Sequence, residues 1–153
     1  MELPVEKILK EKMVPYTLIR LGRQAITVGD VVAYSDGAVK TDEICKTIIV
    51  KGKKTGALWA ILLRGNDRLD FSKTKGVLGE AAEIADIKSV KKVSGVEPGA
   101  VCPFMVSVPL FLDKRVLELK RMNVGSGDHL YGLDVAVADI AEGILFTVVD
   151  VVK

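Results

Sequence analysis

Apolar and polar positions change period several times along the chain, and those changes mark the expected elements. Between Val5 and Lys12, Ile8 and Leu9 stand among Glu6, Lys7, Lys10, Glu11 and Lys12, an apolar stripe that predicts a short surface helix ending before Pro15. Tyr16 to Leu21 is rich in β-forming residues and predicts a strand that turns at Gly22. Thr27 to Tyr34 predicts a helix stopping near Asp36 and Gly37, against the β-branched content of the segment.

Ile44 to Val50 and Leu58 to Leu63 are dense apolar runs separated by Lys51-Gly52-Lys53-Lys54-Thr55-Gly56, the pattern of two paired strands joined by a solvent-facing turn. They are the expected centre of the sheet. Asp70 to Ala85 suggests one or two helices and Ile87 to Val93 another, closed by Gly95. Val101 to Val106, Leu110 to Leu112, Arg121 to Val124 and Leu133 to Val137 read as short strands, and Asp139 to Leu145 as a short helix. In Phe146 to Val152 a final strand competes with a helix. A chain that begins helix-strand-helix and then becomes strand-rich fits an α+β fold with a mixed, largely antiparallel or barrel-like sheet flanked by helices.

At 153 residues, with no repeat or linker, residues 1–153 are expected to form one domain around one core. Hydrophobic residues at 49% and charged residues at 27% exclude disorder as the main state. No apolar run approaches the roughly 20 residues of a membrane-spanning helix, and the acidic N-terminus is unlike a secretory signal, so a cytoplasmic protein without a membrane partner is expected. The net charge of +2 is too small for a general polyanion binder, and DNA is not an expected partner. Cys45 and Cys102 lie in strand-like runs as buried thiols would, and with one histidine, His129, a zinc site is not expected. No metal and no cofactor is called for.

Phosphate-binding, dinucleotide, zinc-protease and serine-hydrolase motifs are all absent. Three features carry candidate chemistry. Lys46 stands inside the apolar run before Thr47-Ile48-Ile49-Val50, where a lysine either snorkels outward or lines a cleft and meets an anion. Gly95 to Phe104 holds Pro98, Gly99 and Pro103 in a short space, so the bend can aim backbone N–H groups at one point, or can be an ordinary tight connection. Gly125-Ser126-Gly127 is a glycine-rich turn able to admit a sugar or phosphate, or simply to close a hairpin; the following Asp128-His129 reads as surface.

In this order the segments resemble the YbaK and prolyl-tRNA synthetase insertion-domain family of editing domains. The resemblance rests on Cys45 to Val50, on Gly99-Ala100-Val101-Cys102-Pro103 with Phe104, on Phe111-Leu112-Asp113, and on Val124 to Gly127. It extends from about Pro15 to the C-terminus. Met105 departs from it, standing where many relatives have glycine, and so does Asp128 to Tyr131, where they have an arginine-glycine stretch.

The resemblance implies a trans-editing deacylase that hydrolyses the ester of mischarged aminoacyl-tRNA, with cysteine or alanine on tRNA for proline as the expected substrate. In it, the backbone of Gly99, Ala100, Val101, Cys102 and Pro103 would position the carbonyl, and Lys46 would hold the terminal nucleotide. Thr47, Phe104, Gly125, Ser126, Gly127 and His129 would bind substrate. Thr47 is similar to the YbaK branch, since alanine-specific relatives often have asparagine after the lysine. The attacking group would be water activated by the tRNA's terminal hydroxyl, or the substrate's own thiol. Implied partners are the acceptor end of aminoacyl-tRNA and a synthetase. The same cleft could alternatively serve a non-catalytic module that binds tRNA or a synthetase, or a hydrolase of small aminoacyl esters.

Overall fold

The computed structural model describes residues 2–153. Helix α1 (Pro4–Glu11) starts on Pro4, whose fixed φ and missing N–H suit a first helical turn. It buries Val5 and Leu9, one turn apart, each contributing about 2 kcal/mol of apolar burial. The stripe therefore runs through Val5 and Leu9, with Ile8 only half-buried. Strand β1 (Thr17–Arg20) follows, and then α2 (Val28–Tyr34). Thr27 caps α2: its hydroxyl accepts from the Asp30 N–H at 3.1 Å while the Asp30 carboxylate accepts from the Thr27 N–H at 3.2 Å. This reciprocal cap outweighs the low helix propensity of the valines.

Strands β2 (Cys45–Gly52) and β3 (Leu58–Arg64) form the expected central hairpin. Asp70 caps α3 (Phe71–Leu78), and Gly79 ends it at φ 82°. The chain then forms β4 (Ala82–Ile84), so Asp70 to Ala85 holds one helix and a three-residue strand too short to show a period of its own. Asp86 caps α4 (Ile87–Ser94). The strand expected over Val101 to Val106 does not form: Pro103 opens a 3₁₀ turn through Met105 and supplies no ladder donor. The remaining elements are β5 (Leu110–Asp113), β6 (Arg121–Gly125), β7 (Tyr131–Ala136), α5 (Ile140–Gly143) and β8 (Thr147–Val149). In the C-terminal segment the strand prevails over the helix.

Two sheets result. One has the order β1-β7-β6, wholly antiparallel; the other runs β4-β2-β3-β5-β8, with β3–β5 and β5–β8 parallel. An isolated parallel bridge between Ile44 and Asn123 brings the start of β2 against β6. The larger core lies between the sheets, where Ile49, Leu62 and Leu112 meet Met122 and Leu133, closed by Leu9 of α1 and Val90 of α4. Val50, Ile61 and Leu63 face the other way and pack with Val151 and Val152. Buried Asp113 holds that C-terminal tail, accepting from the Val151 N–H at 3.0 Å and from Arg115 at 3.3 Å. The fold is α+β with mixed sheets, as the patterning indicated.

Candidate active site

Between the Ile44 bridge and the short ladder with β4, which occupies Val50 to Gly52, the outer edge of β2 carries no neighbouring strand among the described residues. A cleft of about 340 Å³ opens there. Its walls are β2 from Cys45 to Ile49, the end of β6, α2 with the preceding Ala25-Ile26-Thr27 segment, Ala85 and Val90, and the bend Pro98 to Val101.

The β2–β3 register places Thr47 opposite Leu62 and Ile49 opposite Ala60, on the face turned to the larger core. Lys46, opposite Leu63, starts on the other face with Ile48 and Val50. Its ammonium curls back at the strand end to donate to the Gly65 carbonyl at 3.1 Å. Gly65 packs under Val28 and Ile44, both cleft residues, so the cation sits beside the α2 end of the cleft rather than in open water. Burial pushes the Lys46 ammonium below the ordinary lysine range, while Asp67 acts in the opposite sense.

The two glycine-rich segments are in direct contact. The Gly127 N–H donates to the Ala100 carbonyl at 2.9 Å, and Gly125 lies so close that an added Cβ would meet the Ala100 carbonyl carbon at 2.9 Å and the Val101 oxygen closer still. Gly99 takes φ 98°, beneath the Ile26 backbone and the His129 ring. The N–H groups of Gly99 and Val101 are engaged by no carbonyl or side chain among the described residues, and both residues line the cleft.

Lys46, Thr47, Gly99, Ala100, Val101, Gly125 and His129 thus line one cleft. The others stand behind it. Cys102, Pro103 and Phe104 are buried beneath the bend, with Phe104 against Gly143. Ser126 is buried and hydrogen-bonded to the Asp128 and Tyr131 carbonyls, and Gly127 sits at φ 89° beside Met105. His129 is half-buried rather than a surface residue: Nδ1 lies 2.9 Å from the Ala25 carbonyl, and the Ala25 N–H donates to the His129 carbonyl at 2.9 Å. That double contact latches the Ala25-Ile26 segment over the bend.

Cys45 also lines the cleft, but burial pushes its thiol up to about 12, as it does that of Cys102, so neither supplies a thiolate nucleophile near neutrality. Sequence reasoning overlooked Asn123. It is 5% exposed, lines the cleft from β6, and its Nδ2 has no partner among the described residues; the buried Thr47 hydroxyl lacks one there as well. A lone asparagine in an otherwise apolar strand core was the available signal.

Residues 24–142 match the model of the aminoacyl-tRNA editing domain, a span that holds every wall of this cleft except its first residue, Leu21. The chain belongs to that family. The editing domain is 27% identical over 115 residues to a proline–tRNA ligase of Desulfotalea psychrophila (strain LSv54 / DSM 12343), a match covering 68% of this chain and 20% of the ligase. The chain thus spans about a fifth of that curated relative's length. Among solved structures, the hypothetical protein APE2540 superposes with a TM-score of 0.87 at 25% identity, covering 97% of this chain and 99% of that one. A protein described as a candidate trans-editing enzyme for prolyl tRNA synthetase gives 0.83 at 18% identity, covering 97% and 94%, and shares the fold. No helix among the described residues is long and apolar enough to cross a membrane.

Proposed function

We propose that this editing domain is a trans-acting deacylase that hydrolyses the ester of mischarged aminoacyl-tRNA, with tRNA for proline carrying cysteine or alanine as the first candidates. The observation that carries the reading is the meeting of a half-buried ammonium, Lys46, and the unengaged N–H groups of Gly99 and Val101 at one cleft. An ester carbonyl seated against those N–H groups would develop its negative charge beside donors that the fold already holds in place, which lowers the barrier. Lys46 would exchange its Gly65 carbonyl for a phosphate oxygen of the terminal nucleotide, a stronger, charge-assisted partner.

The attack is assigned to no protein group. The Cys45 thiol is held protonated by burial, and the Ala25 carbonyl holds the His129 ring through Nδ1. Water hydrogen-bonded to the substrate's own free terminal hydroxyl then attacks the carbonyl, and that hydroxyl relays a proton to the leaving ribose oxygen as the ester C–O bond breaks; for cysteine the substrate thiol can attack its own carbonyl instead, its proton passing to the released ribose oxygen. The similarity to a proline–tRNA ligase supports the choice of tRNA.

The test is a panel of tRNAs charged with alanine, cysteine, serine and proline. Accelerated hydrolysis of at least one mischarged species is expected, with Lys46→Ala slowing it by about 10²-fold while the circular dichroism spectrum is unchanged. Salt-sensitive tRNA binding without turnover would identify a recognition module instead. Equal action on aminoacyl esters lacking tRNA would identify a small-ester hydrolase.

A further inference from the structure

We infer that Asn123, together with Thr47, forms a hydroxyl-reading subsite at the floor of the cleft, which deepens the deacylase reading by assigning the cleft a ligand group. Three observations carry it. First, the Asn123 amide is nine-tenths or more buried, and its Nδ2 has no partner among the described residues. It is held by packing instead: it lies flat against Gly132, where an added Cβ would come within 2.8 Å of Oδ1. Second, Thr47 stands on the face of β2 whose other members, Cys45 and Ile49, belong to the apolar core, and its buried hydroxyl is likewise unpartnered. Third, both residues line the same cleft, Thr47 from the stretch of β2 that no strand covers and Asn123 from β6 beside the Ile44 bridge.

Buried polar groups are almost always paired, and two orphans in one cleft await a third group. An amide N–H needs an acceptor; a threonine hydroxyl gives or takes one hydrogen bond. A substrate hydroxyl answers both: its oxygen accepts from Nδ2 while it exchanges a hydrogen bond with the Thr47 oxygen. A methyl group in the same place would leave both orphans unpaired in a closed complex. The hydroxyl can come from the side chain of the amino acid being removed or from the terminal ribose.

Non-hydrolysable probes separate these sources and do not depend on turnover. They are adenosine and its 2′-deoxy counterpart, each carrying serine or alanine through a 3′ amide. Only Gln24, Asn66 and Asn123 bear side-chain amides, so Asn123 contributes one of three NH₂ pairs in a ¹⁵N correlation spectrum, assigned by its loss in Asn123→Asp. The hydroxyl-bearing probe of one pair is expected to shift the Asn123 pair and to bind roughly tenfold tighter than its partner lacking that hydroxyl. Dependence on serine identifies the side chain and dependence on the 2′ position identifies the ribose. Thr47→Val should erase the preference without lowering the unfolding temperature, because no protein hydrogen bond is lost. Equal binding of all four probes, an unmoved Asn123 pair, or no binding at all would overturn the subsite. Whether the chain hydrolyses charged tRNA is then decided separately by the deacylation panel.

Discussion

Gly125→Ala separates the positioning of the bend from the stability of the fold. Gly125 ends β6 without a positive φ, so alanine meets no conformational strain there. The obstacle is space: an added Cβ would lie 2.9 Å from the Ala100 carbonyl carbon and nearer still to the Val101 oxygen, where ordinary contacts begin at 3.4 Å. Relieving the Ala100 overlap alone requires a separation of 0.5 Å, the difference of those two distances, and Val101 requires more. Both obstacles are main chain, so no side-chain rotation relieves them, and the bend carrying the Gly99 and Val101 N–H groups must move off β6. Overpacking of this kind costs about 1–3 kcal/mol. A displacement approaching 1 Å at reacting groups costs on the order of 10²-fold in rate. Deacylation is therefore expected to fall by roughly 10²-fold in a variant that remains folded. Gly76→Ala serves as the control: nothing lies within 4 Å of the added Cβ, and inside α3 it should stabilise by about 0.5–1 kcal/mol without touching activity. Thermal unfolding and initial deacylation rates measure both quantities. A Gly125→Ala protein with unchanged rate would refute the assignment of the bend as the carbonyl-holding element.

Two further expectations concern titration. Hydrogen bonds from Arg115 and Lys73 hold the Asp150 carboxyl at about 2, below its ordinary 3.8. A depressed folded-state value means stability that is present above the unfolded value and lost as pH falls from about 4 to 2. The unfolding temperature of Asp150→Asn should therefore converge on that of the parent across this window, and a constant difference would contradict the linkage. Cys45 and Cys102, with thiols near 12, should resist alkylation at pH 8 in the native state and react on denaturation. Rapid native labelling of either would show the core around it to be open.

Patterning alone determined much of this protein. The hairpin of β2 and β3 was legible because apolar runs of seven and six residues flanking a lysine-glycine turn have few other solutions. Likewise, α3 and α4 are announced by the aspartates that cap them and the glycines that end them. Lys46 and the glycine-proline bend drew notice because a cation in an apolar run and a backbone stripped of ordinary φ preferences each violate a local rule. Tertiary structure decided what those violations face. Strand β4 exists only because β2 offers it an edge, and Val101 to Val106 gives up its strand because Pro103 cannot join a ladder. No local pattern reveals that Gly125 lies against Ala100, that His129 latches Ala25, or that Asn123 and Thr47 share a cleft without partners. Those are contacts between segments 25 to 104 positions apart, created when two sheets close on one core, and sequence period carries information only about neighbours within a turn or along a strand.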